Sequence, residues 1–89
     1  MGKVAVSFKV MPSDESKDLA EIERELKGDL SKEYVLGNTK IEELAFGIKV
    51  LKLIVIMSDE GGLVDRVEER IRSFPEVGEV EVEEVSLIS

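Results

Sequence analysis

Val4, Val6, Phe8 and Val10 alternate with Ala5, Ser7, Lys9 and Met11, a period of two that predicts a strand with one core-facing side. Pro12 withdraws a backbone donor and ends it, and the polar stretch Ser13 to Lys17 reads as a loop. Leu19, Ile22, Leu26 and Leu30 then recur at spacings of three and four, one stripe of an amphipathic helix. Asp18 stands where a cap belongs, with Glu21 three residues on, and Glu23 and Lys27 suit an exposed pair one turn apart. Gly28 lowers helix propensity and marks a fraying end. Tyr34 to Glu43 is polar and interrupted by Gly37-Asn38, which an edge strand tolerates. Ile48 to Met57 is apolar on both faces apart from Lys49 and Lys52, as a central strand is. Ser58 to Gly62 breaks it. Leu63, Val64, Val67, Ile71 and Phe74 outline a second helix carrying a Glu68–Arg72 pair, and Pro75 stops it. Val77 to Ile88 is a last strand whose apolar positions change phase, even at Val80 and Val82 but odd at Val85 and Leu87, so a bulge or a frayed end is expected.

The order βαββαβ predicts an α+β, ferredoxin-like two-layer sandwich spanning residues 1–89 as one domain. Its sheet is antiparallel and four-stranded in the order 4-1-3-2, with both helices on one face. The apolar first and third strands belong at the centre and the charged second and fourth at the edges. Right-handed crossovers then send the turn at Phe46-Gly47 and the chain end at Ser89 to opposite ends of the sheet. Lys52 cannot lie unpaired beneath the helices, so Leu51, Leu53, Val55 and Met57 should face them. Ile48, Val50, Ile54 and Ile56 should point outward beside Ala5, Ser7, Lys9 and Met11. That outer face is either a contact surface bordered by lysines or a set of aliphatic side chains shielding one another.

Composition narrows the chemistry. There are 89 residues, 12 Lys+Arg against 20 Asp+Glu, and a net charge of −8, with no Cys, His, Trp or Gln. Disulfides, zinc fingers and thiol or imidazole catalysis are therefore excluded. An acidic chain without a basic block is a poor partner for nucleic acid. No apolar run approaches the ~20 residues of a membrane span, and no signal peptide is evident, which points to a soluble, cytoplasmic protein.

Asp59-Glu60-Gly61-Gly62 precedes a helix but lacks the Lys and Ser/Thr of a phosphate loop, and its acids repel phosphate, so it reads as a plain turn. Glu76, Glu79, Glu81, Glu83 and Glu84 cluster around the last strand. Nothing converges them on a cation, so they read as a solvated edge that discourages aggregation and steers toward a basic partner. No catalytic pairing, metal site or cofactor site emerges, which favours a binding module over an enzyme. Phe46 is an aromatic in the connection Ala45-Phe46-Gly47: pointing outward it is an interface anchor, and folded under it caps the core, with Gly47 supplying a positive φ. Local sequence alone favours the second reading.

The run Glu42-Glu43-Leu44-Ala45-Phe46-Gly47-Ile48-Lys49-Val50-Leu51 resembles the archaeal elongation factor 1-beta family, in which acidic residues precede a similar Ala-Phe-Gly segment leading into an apolar strand. The resemblance spans the chain: Met1 to Val4, Lys9-Val10-Met11-Pro12, Asp18-Leu19, the acidic Gly-Gly turn at 59–62, and Val77 to Val82 also match. It implies a guanine-nucleotide exchange domain for the GTPase elongation factor 1-alpha, promoting GDP release and GTP reloading, without covalent chemistry and monomeric when free. It also raises the anchor reading of Phe46, since in the family this aromatic docks on the GTPase, with Ala45 and Gly47 in the same turn. The family's second contact is made by the chain end, in eukaryotic members through a lysine. Here the end is Val85-Ser86-Leu87-Ile88-Ser89, so no ammonium carries over, and backbone wedging or apolar contact by Leu87 or Ile88 remain. The alternative is an ACT-like small-molecule-binding regulatory domain, which shares the strand order.

Overall fold

The computed structural model describes residues 2–14 and 18–88. The predicted loop is seen at Ser13 and Asp14; its residues 15–17 lie outside the described residues, as does Ser89. The elements are β1 (Lys3–Pro12), α1 (Leu19–Leu30), β2 (Val35–Glu43), β3 (Lys49–Ser58), α2 (Leu63–Arg72) and β4 (Val77–Leu87). They form one sheet in the order β2-β3-β1-β4, every neighbour antiparallel, which is the expected order.

One side of β1 and β3 and the apolar stripes of both helices share a single core. Val4, Val6, Phe8 and Val10 meet Leu51, Leu53, Val55 and Met57 across the ladder, and Leu19, Ile22, Leu26 and Leu30 of α1 cover them with Val67 and Ile71 of α2. Asp18 caps α1, its carboxylate accepting the Ala20 N–H at 3.0 Å. Past α2, Phe74 packs half-buried against the core rim. The phase change in β4 is a bulge. Glu84 pairs with Ser7 and Val82 with Phe8, which leaves Glu83 as the extra residue and keeps Val82 and Val85 on the same side. The Gly37-Asn38 interruption is likewise a register shift between Leu36 and Thr39. Gly78 has a steric reason: a Cβ there would lie 2.8 Å from the Pro12 carbonyl oxygen and the Ser13 Cα.

One expectation needs correction: Glu23 does not pair with Lys27 but accepts a hydrogen bond from the Thr39 hydroxyl and ties α1 to β2. Val50 belongs to the outer face as expected and is fully buried there, opposite Glu42. Gly28 lies two residues before the end of α1 at Leu30.

The helices are joined by a clasp that the sequence pattern did not reveal. Arg70 donates from Nε to Asp29 Oδ2 at 2.7 Å and from Nη2 to Asp29 Oδ1 at 3.1 Å, and Nη1 reaches Glu33 Oε1 at 2.6 Å. The Arg70 hydrogen bond holds the Asp29 carboxyl below its usual range. A carboxyl lowered in the folded state stabilises above its unfolded pKa, and that contribution disappears as pH falls through the folded value. Asp29→Asn should therefore lower the unfolding midpoint at neutral pH, and the gap from the parent should close on acidification, as read by denaturant titrations across pH.

Candidate functional site

The β2–β3 hairpin closes tightly at its tip. The Leu44 N–H donates to the Ile48 carbonyl at 2.6 Å, and the Ile48 N–H donates to the Ala45 carbonyl at 3.3 Å. Phe46 and Gly47 reverse the chain between them, with φ of 62° and 76°. Hairpin turns of this hand require positive φ at both central positions. Glycine adopts it freely, whereas an L residue with a bulky side chain is strained there by about 1–2 kcal/mol. The sequence reading placed the positive φ on Gly47 alone; the structure places it on Phe46 as well.

Phe46 is 98% exposed, so it does not fold under to cap the core. A strained conformation at a fully solvated aromatic gains nothing from packing within the chain. Ile41, Leu44 and Ile48 are exposed beside it, and a groove of about 650 Å³ runs from the tip to the end of β1, lined by the apolar Met11, Pro12, Ile41 and Ile48 and by the polar Ser13, Asp14, Asp18 and Lys49. These neighbours were not singled out as site residues from the sequence, although the unbroken apolar run from Leu44 to Ile48, apart from Gly47, is unusual for a surface turn.

Leu87 and Ile88 lie at the other end of the sheet. Leu87 pairs with Val4, and the Ile88 N–H donates to the Lys3 carbonyl at 2.9 Å, so the backbone is held while the side chains stay open to solvent. The structure thus groups Ala45, Phe46 and Gly47 at one end and Leu87 and Ile88 at the other, along a body whose longest extent is 41 Å.

Between the two ends, the outer face carries an ion-pair lattice. Lys9 meets Glu81 at 3.1 Å, Lys52 meets Glu83 at 3.3 Å and Glu42 at 3.7 Å, and Lys40 meets Glu42 at 3.3 Å. The Glu81 carboxylate raises the Lys9 ammonium, and hydrogen bonding to Lys40 with the charge of Lys52 lowers the Glu42 carboxyl. These lysines are engaged within the sheet. They lie beside buried Val50 and half-buried Ile54 and Ile56, while Ile48 of the same face is exposed.

Among known proteins, the EF-1 guanine nucleotide exchange domain matches residues 5–88. The chain belongs to that family. Elongation factor 1-beta of Thermoplasma volcanium is 40% identical over 88 residues, covering 99% of this chain and 100% of that protein. The elongation factor 1-beta proteins of Archaeoglobus fulgidus and Pyrococcus abyssi are 34% identical over 88 residues and 41% identical over 82, the former covering 99% of this chain and 100% of its own, the latter 91% and 90%. In structure, the EF-1 exchange domain resembles the ACT domain from GTP pyrophosphokinase of Chlorobium tepidum, with a TM-score of 0.65 over 91% of this chain and 99% of that one. At 15% identity that likeness establishes the ferredoxin-like fold alone, and the small-molecule-binding alternative draws no support beyond it. Among the described residues, no helix of this EF-1 family member is long and apolar enough to cross a membrane.

Proposed function

We propose that this protein is the guanine-nucleotide exchange factor of elongation factor 1-alpha, acting in the cytoplasm as a free monomer that speeds GDP release and allows GTP to reload. Membership of the exchange-domain family supports the activity, and one observation supports the site: Phe46 is held fully exposed in a strained conformation at the hairpin tip. In this reading Phe46 is the anchor, with Ala45 and Gly47 setting its direction, and Leu87 and Ile88 make a second contact at the far end. No covalent step is involved. The factor binds the empty GTPase more tightly than the GDP-bound form, so it weakens GDP binding by the same factor by which GDP weakens its own. Release is faster from the ternary complex because contacts to phosphate and magnesium are distorted there. Incoming nucleotide then ejects the factor.

The expected result is that adding the protein to elongation factor 1-alpha loaded with fluorescent GDP accelerates loss of the fluorescent nucleotide when unlabelled GTP is present. Release unchanged at saturating protein would defeat the proposal.

A further inference from the structure

Both edge strands are irregular at the same level of the sheet. In β2, Gly37 and Asn38 stand against the single residue Ile54, since Leu36 pairs with Val55 and Thr39 with Leu53. Ile54 pairs with Ser7 of β1, and it is beside Ser7 that β4 inserts Glu83. One transverse line through Gly37-Asn38, Ile54, Ser7 and Glu83 therefore divides the hairpin end of the sheet from the end that carries Leu87. A bulge bends its strand and increases the local twist. Twist between neighbouring strands is also soft, spanning roughly 10–35° per step. With β2 and β4 both interrupted, the β1–β3 pairing alone crosses the line in unbroken register, so the backbone by itself sets the angle between the two ends loosely.

One side chain spans that line. Lys40, Lys52 and Lys9 fall in a row across β2, β3 and β1, directly opposite one another, and like charges so placed repel. Lys9 turns to Glu81 on the adjacent strand, and Lys40 to Glu42 within β2. Lys52, in the middle, leaves the row diagonally in both directions. Its ammonium meets Glu42, which lies toward the hairpin opposite Val50, at 3.7 Å, and Glu83, the extra residue of the β4 bulge, at 3.3 Å. The bridge thus runs from one edge strand, over β1, to the other. Lys52 is 27% exposed and Glu83 31%, so salt screens this pair less than one on an open surface.

We propose that Lys52 is a positioning residue: by tying Glu42 to Glu83 it fixes the twist of the sheet at the line of bulges, and with it the angle at which the hairpin tip and the end of β4 are presented to the GTPase. This role rests on the exchange-factor reading proposed above, and Lys52 performs it without touching the GTPase or its nucleotide.

The test compares the parent with Lys52→Met and Lys52→Arg in stimulated release of fluorescent GDP from elongation factor 1-alpha, titrated to saturation, with urea unfolding of each. Methionine keeps an unbranched stem between Val50 and Ile54 and strands no buried charge, since Glu42 retains Lys40 and Glu83 is partly open to water. The unfolding midpoint should stay near the parent's. The plateau of stimulated release should fall about tenfold, because a grip at two points is lost once geometry forbids engaging both. Arginine, whose guanidinium can bridge two carboxylates, should restore most of it. A variant that merely folded less well would instead reach the parental plateau at a higher concentration. A parental plateau from folded Lys52→Met overturns the inference and leaves the exchange-factor reading intact. Should Lys52→Met prove unfolded, Glu83→Gln decides in its place: it removes the charge that draws Lys52 to β4, and a parental plateau from it overturns the inference equally. No stimulation by the parent protein overturns the exchange-factor reading, and this role with it.

Discussion

Phe46→Asn should make the protein more stable and a far weaker exchange factor. Asparagine tolerates the left-handed backbone that phenylalanine resists, so relieving the φ of 62° should raise stability by about 1 kcal/mol. Phe46 touches little within the fold, so its removal leaves no cavity to offset that gain. An aromatic anchor at an interface, by contrast, is worth about 2 kcal/mol or more, so affinity for the GTPase should fall on the order of 30-fold. The two effects have opposite signs, which separates lost contact from lost folding. Urea unfolding and the GDP-release assay on the same sample measure both. Exchange at the parental level would remove Phe46 from the site, and a drop in stability would show that the turn is not strained.

Phe8→Ala should do the reverse of a site variant and collapse the fold. Phe8 is fully buried at the centre of β1, opposite Leu53 on one side and Val82 on the other. Truncating a buried phenylalanine costs about 3–5 kcal/mol through lost transfer energy and the cavity left behind. A small domain has only about 5–15 kcal/mol of total stability. The urea midpoint should therefore fall by roughly a fifth or more, and exchange should fail wherever the variant is unfolded. A midpoint within experimental error of the parent would contradict the packing described for the core.

The fold was legible because its signals are local and repeated. Val4 to Val10 and Leu51 to Met57 each mark their buried side by period two, and the α1 stripe does so at helical spacing. Even the β4 irregularity was visible, since a bulge is the simplest way to keep Val82 and Val85 on one side. What escaped depends on partners distant in sequence. Arg70 meets Asp29 forty-one positions away, and Glu23 finds Thr39 rather than the Lys27 one turn along its own helix. Val50 is buried on the outer face, opposite Glu42, where periodicity alone would place it toward solvent. At the candidate site, the residues between Leu44 and Ile48 identified the turn, but the strain on Phe46 comes from its positive φ beside Gly47 within the five-residue connection, which composition does not encode.

β1 runs without a break from Lys3 to Pro12 and is hydrogen-bonded along both sides, to β3 and to β4. Ten residues of extended chain measure roughly 30 Å, and a strand clamped on both sides neither stretches nor folds up. The hairpin tip and the end of β4 are therefore held at a fixed spacing, like the jaws of a calliper. On the proposed function, a GTPase would be gauged by the spacing of its two receiving surfaces as well as by their chemistry, and one set a few ångströms wider would engage a single jaw and keep its nucleotide.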